Sequence, residues 1–139
     1  MFVLASVATA LSCTIYSVHD GDTVSADCGG MRIKVRMVGI DAPELKQKYG
    51  RTSRQALADH VFQKKVTLQT QGRDKYGRAL GEVFLNGESV NAWMVKGGHA
   101  WVYAAKPRRE WFPLQESAKA AETGLWRDPR PVAPWIFRR

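Results

Sequence analysis

The stretch CTIYSVHDGDTVSADC, residues 13–28, sets two β-branched, alternating runs on either side of a turn signal, Asp20-Gly21-Asp22. Such a pattern reads as an antiparallel hairpin. Gly21 lets the chain reverse, and the reversal presents two carboxylates in a protein whose formal net charge is +8. The same hairpin brings Cys13 and Cys28 to opposite or near-opposite positions on adjacent strands. They read either as a disulfide of an exported protein or as two reduced, half-buried thiols. A disulfide closing a loop of roughly 15 residues would contribute about 3 kcal/mol in the chain-entropy account.

Outward from the hairpin, MRIKVRMVGI (31–40) alternates Met31, Ile33, Val35 and Met37 with Arg32, Lys34 and Arg36. It predicts a third strand with a basic face. Leu57 and Val61, with Ala58 and Phe62 beside them, predict an amphipathic helix over 51–62, capped by Thr52 or Ser53. KVTLQT (65–70) and RALGEVFL (78–85) are two more strands, parted by the loop QGRDKYG. A helix begins at Ser89, with Val90, Trp93 and Met94 inward, and stops at Gly97-Gly98. A last helix covers about 113–123. Beyond it the prolines Pro129, Pro131 and Pro134 predict an extended strap, laid on the core by Trp126 and Trp135.

The 139 residues are one domain by length, residues 11–139, large enough to bury a core unaided. Residues 1–10 read as the remnant of a secretory signal or as an extra N-terminal strand. No apolar run reaches the roughly 18 residues that a spanning helix needs, so membrane insertion by a helix is excluded. The 21 Lys and Arg against 13 Asp and Glu suit a polyanionic partner, a soluble basic protein being the plainer alternative.

Acids and arginines gather in three segments, DGDT, RMVGIDAPE and RDKYGR. Each alone has a plain reading as a turn or a solvated loop. Together they supply the parts for phosphodiester cleavage: a cation on Asp22 and Asp41, Glu44 orienting or deprotonating water, and Arg36 and Arg78 stabilising charge on phosphorus. Oxygen ligands suit Ca²⁺ or Mg²⁺, since neither the cysteines nor His19, His60 and His99 fall at zinc-ligand spacing. The histidines read as surface or structural residues.

DGDTV, RMVGIDAPE and DKYGRALG, in this order and at these separations, resemble the staphylococcal nuclease (thermonuclease) family, and GLWRDPRPVAPW is similar to the tail of its exported bacterial members. The resemblance implies an α+β fold, a five-stranded oligonucleotide-binding (OB-fold) β-barrel with three helices. It also implies Ca²⁺-dependent endonucleolytic hydrolysis of DNA and RNA to 3′-phosphate products; a secreted or periplasmic protein, acting as a monomer, is expected. By the same resemblance Asp22 and Asp41 match calcium ligands, Ala42 offers a backbone carbonyl, and Asp20 sits in the outer shell. Arg36, Glu44 and Arg78 match the catalytic trio, and Lys75 and Tyr76 match phosphate contacts.

Three departures accompany the match. Ala42 stands where the archetype has threonine, and the segment between Glu44 and Tyr49-Gly50 is shorter. HAWVYAAKP aligns loosely, so Trp101 and Tyr103 read equally as stacking residues and as core. Phosphate contacts predict steep salt dependence, and stacking predicts a preference for single strands. A noncatalytic single-strand-binding module on the same barrel is the alternative, against which the joint presence of Asp22, Arg36, Asp41, Glu44 and Arg78 argues.

Overall fold

The computed structural model describes residues 9–139. Residues 1–8 of the stretch read as a signal remnant or an extra strand lie outside them. Strand β1 (Thr9–Asp20) is twice the length of β2 (Thr23–Cys28), 12 residues against 6, and the excess has a use. Its first half pairs with β5 (Lys65–Arg73), Thr9↔Thr70 to Thr14↔Lys65, and its second half with β2, Thr14↔Asp27 to Asp20↔Thr23. Register shifts between Ile15 and Ser17 and between Val18 and Asp20 bend the strand, as bulges do. One bent strand thereby belongs to both walls of a barrel.

The sheet runs β3 (Met31–Met37), β2, β1, β5, β6 (Ala79–Leu85), and closes where β3 and β6 pair in parallel through Val35↔Ala79, Arg36↔Leu80 and Met37↔Gly81. The fold is thus the closed five-stranded mixed barrel with helices that the sequence implies. Ile15, Val24, Val35, Met37, Leu68 and Val83 fill the interior. Helix α1 (Gly50–Val61) contributes Leu57 and Val61, and α2 (Val90–Lys96) contributes Val90, Met94 and Val95. The Cys13–Cys28 disulfide forms, with Cα atoms 4.2 Å apart.

Several local expectations are corrected. The third strand does not run to Ile40: Gly39, at φ +78°, turns the chain, and Ile40–Asp41 becomes a separate two-residue strand, β4. Short β7 (Glu88–Ser89) flanks β6, and β8 (Trp101–Val102) pairs with β4. Met31 is 54% exposed because it pairs with Cys28 beside the Gly29-Gly30 turn, at the tip of the hairpin. Neither Thr52 nor Ser53 caps α1; Tyr49 does, with φ +70° and no side-chain bond, while Ser53 is buried and donates to His99 O at 2.7 Å. Phe62 follows α1 in an extended conformation and stays 45% exposed. Ser89 does cap α2, accepting from Ala92 N at 3.1 Å.

The tail after α3 (Phe112–Ala120) is not wholly extended. Gly124–Arg127 forms a 3₁₀ turn that buries Leu125 and Trp126, and Pro134–Phe137 forms a short helix, α4. Pro134 occupies the first turn of α4, where a missing N–H breaks no bond. Proline is excluded from helix interiors and permitted at helix starts, so these prolines do not keep the tail extended throughout.

Candidate active site

The turn from β1 to β2 leaves no room for a side chain at Gly21, where a Cβ would stand 2.0 Å from Ser53 Oγ and 2.7 Å from Ala42 Cβ. The Asp20–Asp22 turn is therefore pressed against α1 and the end of β4. Asp20 Oδ1 accepts from Asp22 N at 3.0 Å, Asp22 Oδ1 accepts from Thr23 Oγ1 at 3.1 Å, and Asp22 Oδ2 accepts from Ala42 N at 2.7 Å. Asp22 and Asp41 are 6% and 1% exposed. Burial pushes the Asp22 carboxyl up to about 7, against the pull of Arg36 and with the help of Asp20. Asp41 is also raised by burial, opposed by its hydrogen bonds from Arg138.

Arg36 links the two aspartates. Its Nη2 lies 3.5 Å from Asp22 Oδ2 and 3.6 Å from Asp41 Oδ1, its Nη1 donates to Met37 O at 2.6 Å, and its guanidinium lies 5.7 Å from the Tyr103 ring centre. Glu44 is reached from the other side. Arg138 Nη1 donates to Glu44 Oε1 at 2.6 Å and to Asp41 Oδ1 at 3.1 Å, while Nη2 donates to Asp41 Oδ2 at 2.7 Å. These bonds raise the Arg138 pKa further, Asp41 contributing most. The order of contact is Asp22, Arg36, Asp41, Arg138, Glu44. Among the described residues no three His, Cys, Asp or Glu side chains converge as a metal cage; the expected carboxylates meet through guanidinium groups.

The donor set nonetheless fits a hard divalent cation. Asp22 and Asp41 are oxygen donors in a buried place, and burial has made their negative charge costly, so a cation beside them is favoured. Ala42 adjoins both through its backbone. Asp20 stands one hydrogen bond behind Asp22.

Arg78 and the phosphate-contact candidates lie in a groove of about 720 Å³ lined by Arg36, Arg73, Lys75, Tyr76, Arg78 and Tyr103. Asp74 organises this loop, accepting from Arg78 Nε at 2.7 Å, Arg78 N at 3.0 Å and Tyr76 N at 2.9 Å. Tyr76 is 71% exposed, with Lys75 and Arg78 over its ring. Trp101 is elsewhere. It packs against Trp126 at 4.5 Å and Trp135 at 5.5 Å between ring centres, beneath the tail, so it and Tyr103 do not share a pocket.

The histidines do other work. His19 pairs with Ser25 Oγ at 2.7 Å, His60 stacks on Trp93 at 3.9 Å, and His99 Nδ1 meets Tyr49 Oη at 2.9 Å. The residue that sequence reading missed is Arg138. Two arginines at the end of an aromatic tail gave no sign that one of them returns to Asp41, because the return depends on α4.

The model of the staphylococcal nuclease homologue family matches residues 34–128, which include Arg36, Asp41, Glu44 and Arg78. Protein ParB of Escherichia coli is 40% identical across all of this chain and 86% of its own length. An uncharacterized endonuclease of Escherichia coli O157:H7 is 43% identical over 89% of this chain and 82% of its own. A micrococcal nuclease of Shigella flexneri is 36% identical over 90% and 79% respectively. With the barrel, the convergent acids and arginines and these similarities together, the chain belongs to the staphylococcal nuclease homologue family.

Proposed function

We propose that the chain is a nuclease, a phosphodiester hydrolase acting endonucleolytically on DNA and RNA with Ca²⁺. The observation that carries this reading is the convergence of Asp22, Asp41, Arg36 and Glu44 from separate segments at one end of the barrel. The names of the relatives, endonuclease and micrococcal nuclease, point the same way.

A Ca²⁺ held by Asp22 and Asp41 would polarise a phosphate oxygen and offset its charge. Asp20 and the amide of Ala42 hold Asp22 in place for that role. Glu44 orients water and accepts its proton as the water oxygen bonds to phosphorus. The bond from phosphorus to the 5′-oxygen then breaks and that oxygen takes a proton from solvent, leaving a 3′-phosphate and a 5′-hydroxyl. Arg36 and Arg78 hold the equatorial oxygens as charge builds on them. Tyr76 and Tyr103 give bases a stacking surface, which favours single strands over duplex, and Lys75 meets phosphate. The disulfide supports export to an oxidising compartment.

Purified protein is incubated with single-stranded DNA and RNA, with Ca²⁺ or chelator, beside Glu44→Gln. Cleavage that needs Ca²⁺ and falls at least about 100-fold in the variant is expected. Binding without cleavage by the unmodified protein would instead identify a noncatalytic module.

A further inference from the structure

A second groove, of about 730 Å³, lies between the Glu44 loop and the tail. Nothing in the proposed chemistry uses it. It is within the size range of small-molecule and nucleotide sites. Three aromatic side chains line it, Tyr49, Trp101 and Phe137, and so do three cations, Lys48, Arg127 and Arg130. Phe137 is 43% exposed, and Arg127 and Arg130 are exposed. Asp128 is the acid among the lining residues, paired with Lys48 at 3.9 Å. The surface is therefore cationic with aromatic faces, the combination that holds single-stranded nucleic acid.

Its position relates it to the reacting centre. Gln47 Oε1 accepts from Glu44 N at 3.1 Å, and Gln47 Nε2 donates to Val132 O, so one side chain ties the tail wall to the backbone of Glu44. Phe137, at the end of α4, immediately precedes Arg138, whose guanidinium touches Glu44. The groove thus borders the Glu44 loop through Pro43 and Gln47, whereas the groove of Tyr76, Arg78 and Tyr103 is lined by Arg36 as well. A polynucleotide whose scissile phosphate lies between Arg36 and Glu44 has chain on both sides. The first groove takes one side.

We propose that the tail groove binds the single-stranded nucleotides on the other side of the scissile phosphate. Lys48, Arg127 and Arg130 contact phosphates, and Phe137 and Tyr49 stack bases. The inference rests on the nuclease reading and deepens it: tail residues set affinity for long substrates and leave binding in the first groove alone.

The test is equilibrium binding in chelator, which needs no turnover. The probes are a fluorescein-labelled oligothymidylate of about 12 nucleotides, within the span an OB-fold barrel covers, and a mononucleoside bisphosphate, too short to span both grooves and assigned by its two phosphates to the groove of Arg36 and Arg78. The variants are Phe137→Ala and the pair Arg127→Gln with Arg130→Gln. For the arginine pair the oligonucleotide affinity falls about tenfold or more, and the slope of log K against log salt shrinks by roughly 1.4, two phosphate contacts at about 0.7 each on single strands. Phe137→Ala weakens the oligonucleotide and leaves the salt slope unchanged. Both retain the bisphosphate affinity of the unmodified protein. Unchanged oligonucleotide binding, or an equal loss for both probes, overturns the proposal. Should the unmodified protein bind the oligonucleotide through the tail yet cleave nothing with Ca²⁺, the nuclease reading fails and the groove stands.

Discussion

Arg138 grips both oxygens of Asp41, at 3.1 and 2.7 Å, across a sequence separation of 97. A divalent cation held there, as proposed, would compete with the guanidinium for those same oxygens. Arg138→Gln should therefore bind Ca²⁺ more tightly, roughly tenfold for about 1.4 kcal/mol of repulsion removed. In chelator it should be less stable by about 1–3 kcal/mol, because Asp41 loses its charged hydrogen bonds. Titration calorimetry and urea melts read the two effects. If neither changes, the contact has no energetic weight.

Gly50 sets the distance from α1 to the Glu44 loop. A Cβ there would lie 1.8 Å from Glu44 O and 2.9 Å from Leu45 Cα, both backbone atoms with little freedom to yield. Gly50→Ala should lower cleavage at least about 100-fold and cost about 1–3 kcal/mol by overpacking. Rates and melts equal to those of the unmodified protein would show that the loop slides freely.

Stability in chelator should carry the signature of Asp22. Its native value, about 7, lies above the unfolded value near 3.9, so the native state holds its proton more tightly. Stability is then fullest below about pH 4 and falls as pH rises to about 7, by an amount on the order of 3 kcal/mol. His60 and His99, both lowered by burial, act in the opposite sense as they charge at acid pH. The informative quantity is the difference between the protein and Asp22→Asn across that range. A difference that is flat with pH would contradict the burial argument.

Reduction of Cys13–Cys28 frees a loop of 15 residues and should cost about 3 kcal/mol. Melts with and without reductant, beside a Cys13→Ser/Cys28→Ser pair, measure it. The reduced protein and the double variant should coincide.

The barrel was legible because its five strands carry their own alternation and turn residues, Gly21 between β1 and β2 above all. The acids and arginines of the three motifs were legible because each sits at a strand end or loop, as chemistry-bearing residues do. What escaped was nonlocal. Nothing near Arg138 signals Asp41, and nothing near Trp101 says that it lies under the tail and apart from Tyr103. The α1 start escaped for a different reason: Tyr49 is held at φ +70° by its surroundings, while Ser53, the better cap by propensity, is needed inside to bond His99 O.

Barrel closure rests on three residue pairs between β3 and β6. Next to them, fully buried Asn91 accepts from Val83 N at 3.1 Å and donates to Val38 O at 2.9 Å and Gly81 O at 3.3 Å. Arg36 stands on one lip of this seam and Arg78 directly precedes the other. The spacing between the two arginines is thus gauged by a short ladder and one uncharged amide, so the barrel's narrowest joint doubles as the caliper of the proposed reacting centre.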